Sequence, residues 1–151
     1  MKKLLPQANT LDTVIRTFRF ASNKNNCTLG DIANFIQFRV RQAAYYSNAC
    51  FFLGLLDDNL EPTDLGRKIL EEGKDTRKRI YEVIISHELI GRLFAKTALL
   101  PQKVAIKEGK KIVKDLYPEY GDAVIDRRTK CLIGWCKEIL DYIKSQHELL
   151  K

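Results

Sequence analysis

Apolar positions recur at helical spacing along most of the chain. Leu11, Val14, Ile15 and Phe18 form the first stripe, predicting a helix capped by Thr10 or Asp12 and running to about Ser22. Arg16 and Arg19 stand on its polar side. Ahead of it, Pro6 blocks an early helix, and residues 1–8 read as an irregular arm. The polar loop Asn23 to Asn26 follows. Leu29, Ile32, Ala33 and Ile36 make the second stripe, with Thr28 as N-cap and Asp31 three residues on, an acidic variant of the capping box. A third stripe runs through Val40, Ala43, Tyr46 or Ser47, Cys50 and Leu53, and Gly54 ends it as a left-handed cap. Phe35 to Val40 contains no glycine, so the turn between these two helices forms without the most permissive residue.

The period then changes. Leu55-Leu56 reads as a short strand, Asp57-Asp58-Asn59 as a turn and Leu60 as the start of a return strand. Thr63 caps a helix to Glu71, closed by Gly73. Asp75 caps another from Thr76 to about Ser86, with Ile80, Val83 and Ile84 on its apolar face. Arg77, Lys78 and Arg79 crowd its start against the helix dipole, as a solvated basic turn or a phosphate clamp. Three more helices follow: Ser86 to Ala98, Gln102 to Leu116 with a lysine-rich outer face, and Gly121 to Ser145, the longest, with a tail HELLK that frays.

The runs RQAAYYSNACFFLGLL and LEPTDLGRKIL resemble a pattern of winged-helix proteins. In it a recognition helix is followed by an LGLL-type strand entry, a short wing, and T-x-L-G opening the next helix. The similarity is greatest to recognition modules of type II restriction endonucleases and allied proteins, and it covers about forty residues. It implies a mainly α fold with a small β-wing, a winged helix-turn-helix over residues 1–75. The wing departs from a DNA-contacting one: it carries Asp57, Asp58 and Glu61 and no Lys or Arg before Asp64. Residues 76–151 read as a basic helical extension, a degenerate second winged helix built on the RRTKCLIGWCKEIL helix, or a dimerisation arm of long helices.

Charge sharpens this picture. The net charge is +7, and residues 1–75 hold ten basic and nine acidic side chains against sixteen and ten in residues 76–151. A basic surface suits polyanions. No apolar run is long enough to span a membrane, and the start lacks an apolar signal core. Cys27, Cys50, Cys131 and Cys136 form no CxxC pair and have no His at zinc-ligand spacing, so reduced, mostly buried thiols in a cytoplasmic protein are expected.

Candidate chemistry is sparse. Glu72-Gly73-Lys74 and Glu108-Gly109-Lys110 are the only short acidic-x-Lys strings of nuclease type, and both fall in helical or helix-end surroundings. No phosphate-binding loop, dinucleotide fingerprint or nucleophile elbow occurs. His87 and His147 read as surface or capping residues. Neither enzymatic activity nor a cofactor or metal is expected.

The leading expectation is binding of double-stranded DNA. Arg41, Gln42, Tyr45 and Asn48 would read bases from the third helix, with Arg39 on phosphate and Arg127, Arg128 and Lys130 as a second contact set. Such a chain would act as a transcription regulator or as the recognition part of a restriction or defence system, beside a separate catalytic or regulatory chain. Two alternatives stand. One is a protein-interaction module, favoured by the acidic wing and by Tyr45, Phe51 and Phe52; the other is nonspecific nucleic-acid binding through Lys103 to Lys114.

Overall fold

The computed structural model describes residues 3–73 and 75–149. Every regular element among them is a helix: α1 (Leu11–Ser22), α2 (Leu29–Ile36), α3 (Val40–Phe52), α4 (Asp64–Glu71), α5 (Thr76–Ser86), α6 (Glu88–Leu99), α7 (Gln102–Leu116) and α8 (Asp122–Leu149). The chain divides into two compact units, 1–83 and 84–151, so the boundary falls inside α5, eight residues beyond the expected one at 75.

In the first unit, α1, α2 and α3 pack pairwise. The buried side of α1 carries Leu11, Val14, Ile15 and Phe18, all fully inaccessible, with Thr17 beside them. Ile32 and Ile36 of α2 and Ala43, Tyr46 and Cys50 of α3 are buried as their spacing requires. The α2 start is a true capping box: Asp31 N–H donates to Thr28 Oγ1 at 3.1 Å, and Thr28 N–H donates to Asp31 Oδ2 at 3.0 Å. The turn to α3 is three residues long. Without a glycine, it is Gln37 that takes the left-handed conformation, at φ 59° and ψ 39°. Gly54, just past α3, is left-handed as its position demands, at φ 74°.

The expected β-wing does not form. Among the described residues the segment after Gly54 holds one isolated antiparallel bridge, Leu56 to Pro62, and no strand. Three local causes act together. The Asp57 carboxylate folds inward, its Oδ1 accepting the N–H groups of Asn59 at 2.8 Å and Glu61 at 3.0 Å, so the side chain takes donors that a ladder needs. Leu60, expected to open the return strand, is left-handed at φ 62°. Pro62 has no N–H to donate. The loop is instead closed by Thr63, whose hydroxyl donates to Gly54 O and accepts Gly66 N–H at 3.0 Å, capping α4.

Asp75 caps α5 by accepting Lys78 N–H at 3.1 Å. Ser86 ends α5 rather than capping α6; His87 is the cap residue of α6. The second unit is a bundle in which α6, α7 and α8 pack against one another. Its core holds Leu89, Ile90 and Leu93, Ile112 and Val113, and Leu132, Trp135, Cys136 and Ile139. Here too the expectation of a second winged helix is corrected. The connection from α7 to α8 is five residues, and α8 continues through Ser145 to Leu149, where a wing would have to begin. The last two residues of the HELLK tail, Leu150 and Lys151, lie outside the described residues.

Candidate nucleic-acid interface

The α2–turn–α3 hairpin presents its open end at the turn. Phe38, Arg39, Val40, Arg41 and Gln42 are consecutive exposed residues there. Helix α3 enters with Arg39 as its N-cap residue, and Arg39 N–H donates to Gln42 Oε1 at 3.2 Å. Gln42 is thus engaged in starting its own helix, which fixes the amide in place with its NH2 group facing away from that bond. One turn on, Arg41 Nε–H donates to Tyr45 Oη at 2.8 Å, with the guanidinium 5.8 Å from the ring centroid. The pair sits at i, i+4 on one face and holds the Arg41 guanidinium extended over the helix surface.

Asn48 is placed differently. It is half-buried, and its Nδ2–H donates to the Leu4 carbonyl at 3.4 Å. The N-terminal arm lies over this part of α3: Lys3 donates to Phe51 O at 2.7 Å and rests 4.4 Å from the Phe51 ring centroid, and Leu5 and Ala8 are buried. Asn48 therefore ties down the arm, leaving the first turn and a half of α3 open. Phe52 is buried and Phe51 is half-buried.

The turn is also where sequence periodicity left residues unassigned. Phe35 stacks flat on Phe20, centroids 4.3 Å apart and planes within 5°, while Arg16 lies 5.4 Å from the Phe35 centroid. Arg16, Arg19, Asn23 and Lys24 line a shallow concavity around that stack. Phe38 packs beside Tyr46. Phe35, Phe38 and Val40 remain 40%, 42% and 54% exposed. The signal available in sequence was Phe20, an aromatic residue off the α1 apolar stripe, preceded by Arg19 and with Arg16 and Lys24 four positions to either side.

Charge within the first unit is strongly segregated. Between Asp12 and Asp57 the chain has five cations, Arg16, Arg19, Lys24, Arg39 and Arg41, and one carboxylate, Asp31, which is committed to its capping box. Those Thr28 bonds hold the Asp31 carboxyl below the usual carboxylate range. Two of the three cations at the start of α5 are paired: Arg77 with Asp12 at 2.7 Å, and Arg79 with Glu72 at 2.8 Å and Glu82 at 3.0 Å.

The second candidate set lies on α8. Arg127 is exposed and Arg128 half-buried. Lys130 pairs with Asp126 at 2.9 Å, and the same carboxylate takes Lys110 of α7 at 2.6 Å. Lys110 and Lys130 together hold the Asp126 carboxyl below its usual range. The Glu108-Gly109-Lys110 string is helix packing: a Cβ at Gly109 would stand 3.0–3.1 Å from Thr129, Ile133 and Leu93, and Glu108 pairs with Lys111. In the other string, Lys74 lies outside the described residues. Among the described residues, no group of three His, Cys, Asp or Glu side chains is arranged to hold a metal ion. None of the four cysteines is in a disulfide; burial pushes the Cys50, Cys131 and Cys136 thiols up to about 12. No helix among the described residues is long and apolar enough to cross a membrane.

Fold and site together define an all-helical protein of two compact units, the first built on a helix-turn-helix with a cationic, aromatic-bordered open end. Residues 14–144 match the model of DUF7226, a domain of unknown function, and the chain belongs to this family. No curated protein and no solved structure matches it.

Proposed function

We propose that this protein binds duplex DNA through the open end of its first helix-turn-helix, as a regulator or as the recognition chain of a defence system, in the cytoplasmic compartment. The observation that carries the reading is the exposed N-terminal turn of α3. In helix-turn-helix proteins that end of the second helix enters the major groove. Here it presents Arg39 and Arg41 with no carboxylate between Asp31 and Asp57. Arg41, extended by Tyr45, is the base-reading candidate, suited to guanine. Gln42 offers its amide NH2, and Arg16, Arg19 and Lys24 are the phosphate contacts. Asn48 has no part in this version of the site.

The test is selection of bound sequences from a pool of random duplexes at two salt concentrations, repeated with Arg41→Glu. The parent chain is expected to recover a motif. The variant should lose at least about 1–3 kcal/mol of discrimination at the guanine it reads. If Arg41→Glu selects the same motif with undiminished affinity, α3 is not the reading helix.

One observation favours a second reading. Phe35, Phe38 and Val40 put apolar surface at the open end, as a protein-binding hot spot would. Under that reading Phe38→Ala abolishes partner binding and Arg41→Glu leaves it intact. Under DNA binding the order of the two effects is reversed.

A further inference from the structure

The second unit has a groove of its own where the α6–α7 corner meets α8. Its apolar floor is Leu100, Ile106, Ile133 and Leu140, with Gly134 among them. Its rim carries Lys130, Lys137 and Lys144, with Asp141 the one carboxylate in the lining.

Gly134 is the informative residue. It lies in the interior of a 28-residue helix, where glycine is the least favourable residue after proline. The other buried or half-buried helix glycines of this unit have a packing reason. A Cβ at Gly91 would meet Ile85 O at 2.7 Å, and one at Gly109 would press on three side chains. A Cβ at Gly134 would meet nothing within 4 Å. Internal packing therefore does not require this glycine; what it does is leave the groove floor bare, so that another molecule can approach the α8 backbone.

The rim defines what that molecule is. Lys130, Lys137 and Lys144 recur every seven residues and so form one row along α8. The row spans about 21 Å at 1.5 Å per residue, four helical turns. Asp126 holds Lys130, but among the described residues no carboxylate pairs with Lys137 or Lys144. Exposed apolar surface extends beyond the groove at Leu99, 81% exposed, and at Ile143, 46% exposed and one turn on from Leu140. An apolar floor, a bare glycine and a cationic row of this length match a helix laid into a groove. We propose that this groove docks an acidic amphipathic helix of a partner protein, its leucine-like face on Leu100, Ile106, Ile133 and Leu140 and its carboxylates on Lys137 and Lys144.

The experiment uses the full chain and a fluorescent synthetic peptide of about sixteen residues with Leu at i, i+3, i+4 and i+7 and Glu elsewhere, a helix-in-groove pattern. A scrambled peptide of the same composition is the control. Fluorescence anisotropy should give saturable binding of the amphipathic peptide, at least about tenfold tighter than the scrambled one. Gly134→Leu projects into the groove from a Cβ with nothing within 4 Å, so it should fold as the parent does by circular dichroism and Trp135 emission, yet weaken binding at least about tenfold. Lys137→Glu with Lys144→Glu should do the same. Lys68→Glu with Lys78→Glu, an equal change of charge outside the groove, should leave binding within about twofold.

Equal affinity for the scrambled peptide, or binding unmoved by a folded Gly134→Leu, would overturn the proposal. So would Gly134-dependent retention on phosphatidylserine vesicles without peptide binding, which would make the groove a lipid site. Loss of self-association in Gly134→Leu without peptide binding would likewise overturn it and assign the groove to a second copy of the chain. None of these outcomes bears on DNA binding by the first unit.

Discussion

Two glycines on the helices of this protein should respond to alanine with opposite signs. At Gly66 the third residue of α4 crosses the chain just after α3. A Cβ there would overlap the Leu55 carbonyl oxygen and stand 3.1 Å from Phe18 Cε1 in the core. The oxygen belongs to backbone, and it already accepts Thr63 N–H at 3.1 Å, so it cannot swing away as a flexible side chain would. Overpacking of this kind costs about 1–3 kcal/mol. Distorting the Thr63 bond adds about 1 kcal/mol, and the gain in helix propensity returns about 0.5–1 kcal/mol. Gly66→Ala is therefore expected to destabilise the first unit by about 2 kcal/mol, roughly 8–16 °C in Tm for a unit of this size. Gly134→Ala meets no neighbour and keeps only the propensity gain, so it should stabilise the second unit by about 0.5–1 kcal/mol. Thermal melts of both variants by far-UV circular dichroism measure the whole chain. Emission of Trp135, the one tryptophan and fully buried, reports the second unit alone. A Gly66→Ala protein as stable as the parent would refute the close approach of α4 to Leu55. A destabilised Gly134→Ala would refute an open groove floor.

Three further outcomes follow from local geometry. Gln37→Gly relieves a left-handed non-glycine residue and should stabilise the protein by about 0.5–1 kcal/mol, net of the extra freedom of the unfolded chain, in urea melts; a loss would mean that the Gln37 side chain makes the turn. The depressed Asp31 carboxyl contributes stability that is present above its unfolded pKa and is lost as pH falls through its lower folded value. Asp31→Asn should therefore flatten the acid limb of the stability profile, and an unchanged limb between parent and variant would remove the capping box from that account. Three thiols are buried and pushed up to about 12; burial and Asp31 raise the Cys27 thiol too, but Cys27 is only half-buried, so native protein should show one cysteine alkylated ahead of the others by mass spectrometry and denatured protein four; fast native labelling of Cys50 would contradict its burial.

Apolar periodicity reached most of the helices because each buries one face on a local bundle, and that face is written at three- and four-residue intervals. The caps were legible for a related reason: Thr28 with Asp31, Thr63 and Asp75 bond backbone groups within three residues of themselves. What periodicity missed depends on competition or on distant chain. The wing rested on a polar segment between Leu56 and Thr63, and its fate was decided by whether the Asp57 carboxylate or a partner strand took the N–H groups of Asn59 and Glu61. Asn48 has the spacing of a base reader, but its donor goes to Leu4, forty-four residues away in sequence. Phe35 stands near the end of α2, off its apolar stripe, and only the packing of α1 on α2 brings Phe20 beneath it.

The loss of the wing alters what the charge pattern means. Counted whole, the first half is nearly neutral, which argues against a DNA-binding surface there. Its carboxylates, however, are concentrated after α3: seven lie from Asp57 to Asp75, against Arg67, Lys68 and Lys74. A winged helix would have to bring an acidic wing down onto phosphate at a cost in repulsion. With no wing, the proposed DNA binding asks no phosphate contact of the Asp57–Asp64 segment; its charge would repel the backbone from that side while the cations of α1 and α3 would attract it, orienting the approach. The same segregation bounds the salt dependence. With at most five cations in Arg16, Arg19, Lys24, Arg39 and Arg41 on phosphate, log K against log salt should have a slope no steeper than about −4.5 if this patch alone holds the duplex. A slope well beyond that value would require cations outside the patch, such as the lysines of α7 and the Arg127–Lys130 segment of α8, to lie on the same DNA.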